Sequence, residues 1–447
     1  MFYKNHENIA TTELRKKALE IIKAGIESVN PHILVKRSLR YNEDFNSVVI
    51  NNNSFDLLRG RIFVIGGGKA SGMMAEMVEK IIGPENITAG VVNTVPKNYK
   101  TKKIKINIAG HPLPDKNGMK GAEEILKLKE EYNINEKDLV ICLISGGGSA
   151  MLFKSAENID LEEAKVVNEL LIRSGADINE MNIIRKHIGI LGGGRLGKFF
   201  VPAKVASLII SDVKGDDFST IASGPTAPDP STFQDALDLL KKYSLSRKIP
   251  ENIFDFLVLG LKGKKEESPK VLDNCHNYII GDNATALEAM AVKADRIGLK
   301  PLIIDADLKG ETEERAREYA LELKDEKEDK YNAYILGGET SLKVPESAGK
   351  GGRNQHYAAL SMTFLENFHD HKWVLACVSS DGIDSKDFAG AIIDNDSLKT
   401  AQAKNIDVEK FILNYDTGSM FRELDNSLVN IGHTGTNVGD MVLYVFE

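Results

Sequence analysis

Residues 61–82 read RIFVIGGGKASGMMAEMVEKII, an apolar run that ends in three glycines and passes into an amphipathic segment. Residues 61–65 predict a buried strand, Gly66-Gly67-Gly68-Lys69 a tight turn, and 69–82 a helix. Strand, glycine turn and helix in that order form the first half of a βαβ unit, and the pattern continues on both sides. An opening helix is expected over 12–30, strands over 89–95, 103–109, 138–144 and 203–210, and helices over 117–132, 160–175 and 179–190. After a loop at 211–231 and two helices, 232–243 and 249–261, the charged run 262–270 reads as a linker. Beyond it the alternation restarts with strands at 276–280, 300–304, 332–336, 373–378, 390–393, 427–431 and 441–446, and helices at 283–297 and 311–323. The expected fold class is α/β: two domains, 1–262 and 271–447, with largely parallel, Rossmann-like sheets flanked by helices and the active site in the interdomain cleft.

Composition narrows the function. The 447 residues are 42% hydrophobic and 27% charged, enough apolar side chain for more than one core. The net charge of −8 gives the whole chain no basic field for nucleic acid or anionic lipid. The longest apolar runs, 139–144 and 374–378, fall far short of the roughly 20 residues that span a bilayer. The opening MFYKNHENIATT has no apolar core of a signal peptide, so a cytoplasmic location is expected. Cys142, Cys275 and Cys377 are odd in number and widely separated, which suits reduced thiols.

Several turns follow a strand and precede a helix: Gly66-Gly67-Gly68-Lys69, Ser145-Gly146-Gly147-Gly148-Ser149, Gly281-Asp282-Asn283, Gly337-Gly338-Glu339-Thr340 and Ser380-Asp381-Gly382. In open α/β sheets ligands gather beyond the carboxyl ends of strands, where glycine turns and helix starts offer amides to an anion. Phosphate is the natural guest, and Lys69 at a helix start favours it. For any one of these turns, tight chain connection alone is as good a reading. The P-loop spacing is absent, and the first triplet lacks the third glycine of a dinucleotide fingerprint. Gly192-Gly193-Gly194-Arg195-Leu196-Gly197 fits G-x-G-x-x-G but follows a helix instead of a strand. Asp212, Asp216, Asp217, Glu339, Asp381, Asp384 and Asp440 stand in or beside these loops. Carboxylates beside phosphate-binding turns suit a divalent metal and a hydroxyl nucleophile that must lose a proton. Arg353, after a glycine pair, could clamp a carboxylate or a phosphoryl group. His111 is equally a substrate donor or a loop-packing residue.

Taken in order, GGGKASGMMAEMVEK, AGHPLPDKNGMKGAEEIL, CLISGGGSAML, IRKHIGILGGGRLGK, SDVKGDDFSTIASGPTAPDPSTFQDAL, ILGGETSLKV, GKGGRNQHYAAL, SSDGIDS and GHTGTNVGD resemble the motif series of the glycerate 2-kinase family, whose C-terminal part is the MOFRL domain. The resemblance covers nearly the whole chain. It implies an ATP-dependent kinase that phosphorylates the 2-hydroxyl of D-glycerate, using Mg²⁺ or another divalent cation. It implies a catalytic set of Lys69, Asp212, Glu339, Arg353, Asp381 and Asn437. Nucleotide contacts are expected from Gly66, Gly67, Gly68, Ser145, Gly146, Gly147, Gly148, Ser149 and Asn283, and metal contacts from Asp212, Glu339 and Asp381, with Asp212 favoured as proton acceptor. The expected partners are D-glycerate and ATP, with no nucleic acid and no membrane; a homodimer is left open. A hydroxypyruvate or tartronate reductase and a non-catalytic nucleotide-binding regulator are the alternatives. A branch delivering glycerate to lower glycolysis, such as a non-phosphorylative Entner–Doudoroff route, is the natural context.

Overall fold

In the computed structural model, which describes residues 2–325, 330–366, 372–385 and 387–447, the chain divides into two compact units, Pro31–Ile280 and Met1–Asn30 with Gly281–Glu447. The first unit opens with the helix Pro31–Ser38, followed by a small antiparallel sheet of β1 (Leu39–Asn42), β2 (Ser47–Ile50) and β3 (Asn53–Asp56). Four-residue strands joined by turns with Asn46, Asn51 and Asn52 at positive φ are too short to show a period, so the sequence reading assigns nothing there.

The six strands that follow are β4 (Ile62–Gly67), β5 (Ile87–Thr94), β6 (Ile104–Ile108), β7 (Leu139–Ile144), β8 (Lys204–Ile210) and β9 (Cys275–Gly281). They form one sheet in the order β6-β5-β4-β7-β8-β9, and the pairings from β6 through β8 are all parallel. β4 and β7 are buried at every position, as their unbroken apolar runs require of central strands. Helices such as Ser71–Ile82 and Lys116–Glu131 link the parallel strands.

The units divide elsewhere than at the expected 262–270 boundary. β9 is the last strand of the first sheet; Val205 N–H beside it donates to the Asn274 carbonyl at 2.8 Å. The charged run is a loop folded onto the first unit, where Glu267 accepts from Phe233 N–H at 3.0 Å and lies 2.9 Å from His187 Nε2. The opening helix, Glu13–Ser28, belongs to the second unit. Its Arg15 is fully buried and reaches Asp394 at 2.5 Å, Ser397 Oγ at 3.2 Å and the Asn426 carbonyl at 2.5 Å.

The second unit's strands are β10 (Pro301–Leu308), β11 (Ala333–Gly338), β12 (Trp373–Ser379), β13 (Gly390–Asp394), β14 (Leu428–Val429) and β15 (Asp440–Phe446), in the order β10-β11-β15-β12-β13-β14. Only β10 and β11 pair in parallel; the other four pairings are antiparallel. The α/β class therefore holds for both units, but the parallel character expected of both sheets holds for the first alone. The link between β12 and β13 is too short for a crossover helix, so those strands must turn back on each other. Cys142 and Cys377 are buried, Cys275 is half-buried, and none is in a disulfide.

Candidate active site

The strand order of the first unit reverses between β4 and β7. One run of connections goes outward through β5 and β6, and the next returns to β7 and goes out through β8. The loops leaving two adjacent strands in opposite directions open a crevice at their carboxyl ends, the usual ligand position in such sheets. Both glycine triplets stand there, and Asp212 follows β8 on the same edge.

The two triplets do different work. In the first, Gly68 N–H donates to Asn93 O at 3.1 Å, Lys69 N–H to Gly146 O at 2.9 Å and Ala70 N–H to Ser145 Oγ at 3.0 Å. A Cβ on Gly66 would lie 2.2 Å from Leu143 O, so this triplet lets β4 and β7 approach closely. The expected anion contacts find no free amide at Gly68, and Gly66 and Gly67 are strand residues paired with β5 and β7, while the Lys69 side chain leaves from a turn held by main-chain bonds. In the second triplet the amides of Gly146, Gly147 and Ser149 meet no acceptor among the described residues. Gly147 has φ +82°, the left-handed conformation from which nests of successive amides are built, a form suited to an anion. A Cβ on Gly147 would lie 2.8 Å from the His111 ring and 3.3 Å from Lys69 Cγ, which places all three residues at one spot.

In the second unit, β15 lies antiparallel between β11 and β12, so its first residue stands beside their last: Asp440 pairs in register with Gly338 and with Ser379. Glu339 follows β11 and Asp381 follows β12, and the loop carrying Asn437 enters the same edge. Arg353 begins the helix Arg353–Phe364 and joins these groups. Its Nε bonds Asp440 Oδ2 at 2.5 Å, its Nη2 reaches Asp440 Oδ1 at 3.2 Å, and its Nη1 bonds Glu339. Burial works against the charged guanidinium, yet Asp440, Glu339 and Asp384 outweigh it and hold its pKa above the ordinary value. Asp381 Oδ1 accepts from Ser379 Oγ at 3.0 Å and Ile383 N–H at 2.8 Å. A pocket of ≈ 570 Å³ runs along Glu339, Gly352, Arg353 and Asp384.

Asn283 is expected to touch nucleotide, but its Nδ2 donates to the Val438 and Asp440 carbonyls at 2.8 and 3.0 Å. It is a clip that fixes the entry to β15. Among the described residues no group of three His, Cys, Asp or Glu side chains is arranged to hold a metal ion.

Asp384 and Asp440 are singled out in the sequence only as acidic loop residues, yet they organise this edge. Asp384 accepts from the N–H groups of Asn354 and Gln355, both at 2.9 Å, at the start of the arginine's helix. Burial, and secondarily the charge of Asp440, push its pKa from 3.8 up to about 7 against the helix N–H groups and Arg353. Between those two pH values the folded protein keeps a proton that the unfolded chain has lost, so this group lowers stability as pH rises through that window. Asp384→Asn is expected to make the fall in melting temperature between pH 4 and pH 7 shallower than in the wild type. A melting curve at each pH reads this, and identical slopes would refute the assignment.

Comparison with known proteins puts a family on this geometry. Residues 17–258 match the family described as Domain of unknown function (DUF4147), and 332–440 match the MOFRL family. The chain is 35% identical to a Pyrococcus horikoshii protein named Glycerate 2-kinase, over 97% of each chain. It is 34% identical to a Thermotoga maritima D-glycerate 2-kinase, over 96% of this chain and 98% of the relative. A solved structure of Thermotoga maritima glycerate kinase superposes with a TM-score of 0.83 at 33% identity, covering 97% of this chain and 99% of that one. Relatives from Agrobacterium vitis carry the name putative hydroxypyruvate reductase. The reversal crevice with its two glycine triplets and the arginine–carboxylate edge thus sit in a chain aligned almost end to end with these kinases, and the chain belongs to the MOFRL-containing glycerate 2-kinase family.

Proposed function

We propose that this protein transfers the γ-phosphoryl group of ATP to the 2-hydroxyl of D-glycerate, giving 2-phosphoglycerate and ADP. The observation that carries the reading is the amide nest of Gly146, Gly147 and Ser149, which no protein acceptor among the described residues takes up, beside Lys69 at the point where the strand order reverses. Phosphoryl transfer asks a protein mainly for alignment and charge stabilisation, and bare amides with a cation supply both for a phosphate. The second unit's edge has the opposite balance: Asp440, Glu339 and Asp381 accompany Arg353, which favours the divalent ion of a metal-bound nucleotide. In the reaction the 2-oxygen of glycerate attacks the γ-phosphorus, the bond to the β–γ bridging oxygen breaks, and the hydroxyl proton passes to Asp212. Lys69 neutralises charge that spreads over the phosphoryl oxygens, and Arg353 charge on the bound nucleotide.

Glu339 and Asp381 offer hard oxygen donors at one sheet edge, and magnesium commonly takes one or two carboxylates together with phosphates and water, so the residues fit the ion without a three-carboxylate cage. Bound there, Mg²⁺ would screen phosphate charge during transfer.

The reductase alternative fares worse. In a dinucleotide-binding sheet of this order a carboxylate at the tip of the strand after the first glycine turn holds the ribose. Here that strand ends in Asn93 and Thr94, both fully buried; Asn93 Nδ2 bonds Gly118 O at 2.9 Å and Met151 O at 2.6 Å, and Thr94 Oγ1 bonds Gly68 O at 2.9 Å. The test is incubation with ATP, Mg²⁺ and D-glycerate, with 2- and 3-phosphoglycerate resolved in the product. The 2-phosphate should form, and EDTA should stop it. Undiminished turnover in EDTA would remove the metal, and NADH consumption with hydroxypyruvate in place of phosphorylation would remove the kinase.

A further inference from the structure

The loop that leaves β6 reads Ala109-Gly110-His111-Pro112-Leu113-Pro114-Asp115. β6 is the outermost strand of the first sheet, with β5 and β4 between it and β7. A residue directly beyond the end of β6 would stand three strand spacings, about 14 Å, from the end of β7. His111 instead reaches the turn that follows β7. Its Cδ2 and Nε2 lie 2.8 and 3.2 Å from the point where a Cβ on Gly147 would stand, and Lys69 Cγ lies 3.3 Å from the same point. The edge of an imidazole ring and the stem of a lysine thus both border Gly147 in the amide nest.

The sequence and a polar clip hold the ring there. Ala109 N–H donates to Thr94 O at 2.9 Å, which draws the start of the loop onto the end of β5. Pro112 and Pro114 fix their own φ angles and so limit the shapes the loop can take. Asp115 closes it by capping the helix Lys116–Glu131, accepting from Gly118 N–H at 2.7 Å. Fully buried Asn93 then joins the two sides: its Nδ2 donates to Gly118 O, in the helix behind His111, and to Met151 O, in the short helix Gly148–Met151 behind the nest. Asn107 Nδ2 completes the clip, donating to Asn93 Oδ1 and to Asn117 O, both at 2.9 Å. The histidine loop and the nest are therefore parts of one bonded frame. His111 itself is exposed, so its ring borders the open crevice and not the core. A ring nitrogen held at an anion-binding turn is placed to donate to that anion.

We propose that His111 donates its Nε2–H to an oxygen of the phosphoryl group being transferred, so that the imidazole, Lys69 and the nest amides hold that group together. This rests on the kinase reading above. Donors already in place at the phosphoryl oxygens need no reorganisation during transfer. His111→Phe keeps a ring against Gly147 and removes the donor. Its kcat should fall on the order of 10- to 100-fold, the worth of a hydrogen bond to a charged group, at an unchanged melting temperature and with KM for D-glycerate changed less than about threefold. His111→Gln puts an amide N–H near the position of Nε2 and should recover most of that loss. A ring that only packs predicts the reverse, wild-type kcat in His111→Phe and a lower melting temperature in His111→Gln, and that pattern overturns the proposal. Equal loss of kcat in the two variants also overturns it, as does an effect confined to KM for D-glycerate, which would give His111 to the acid. A wild-type protein that phosphorylates no hydroxy acid sinks the kinase reading itself, which the wild-type assay detects before any variant is made.

Discussion

Arg353→Ala is expected to lose activity and stability together. The guanidinium is the counter-charge of Asp440, whose side chain is only 4% exposed, and it ties that residue to Glu339. Removing one partner of a buried ion pair leaves an uncompensated charge and costs about 3–5 kcal/mol. Turnover should fall on the order of 10²-fold or more, because the role proposed for the same group is to stabilise phosphate charge. The two losses separate in the double variant Arg353→Ala with Asp440→Asn, which should recover melting temperature without recovering kcat. A single variant within tenfold of wild-type kcat would remove Arg353 from the catalytic set.

Lys69→Ala carries the second large effect, with the opposite profile. The turn around it is set by the bond from its own amide to Gly146 O and by the bond from Ala70 N–H to Ser145 Oγ, which truncating the side chain leaves in place. The fold should persist while kcat falls roughly 10²- to 10³-fold, since an electrostatic donor is lost at the developing charge. Circular dichroism and a coupled ADP assay on the same preparation measure both. A soluble, folded variant with near-normal kcat would show that the crevice of the first unit is not where the phosphoryl group moves.

The parallel sheet of the first unit was legible because its central strands are buried on both faces and read as unbroken apolar runs ending in glycine. β4 and β7 lie within two residues of where periodicity puts them. The mixed character of the second sheet was not legible. β15 comes last among the strands and sits between β11 and β12, and such a long-range insertion leaves no local mark on sequence. The same insertion hid the importance of Asp440, which matters because of what stands beside it in space. Lys69 and Arg353 could be picked out because a cation after a glycine turn at a helix start is locally odd.

The interleaved order of the second unit also bears on how the protein is made. The helix Glu13–Ser28 emerges from the ribosome early, but Asp394, the partner of its Arg15, is translated more than 350 residues later, and the strand that joins β11 to β12 later still. The stretch Pro31–Ile280 is continuous and can close its sheet while synthesis goes on, with an apolar helix face left waiting at its front. A nascent chain stalled before Asp440 would hold one finished unit and one unit cut into two half-sheets with open edges, the state in which this protein most needs a chaperone.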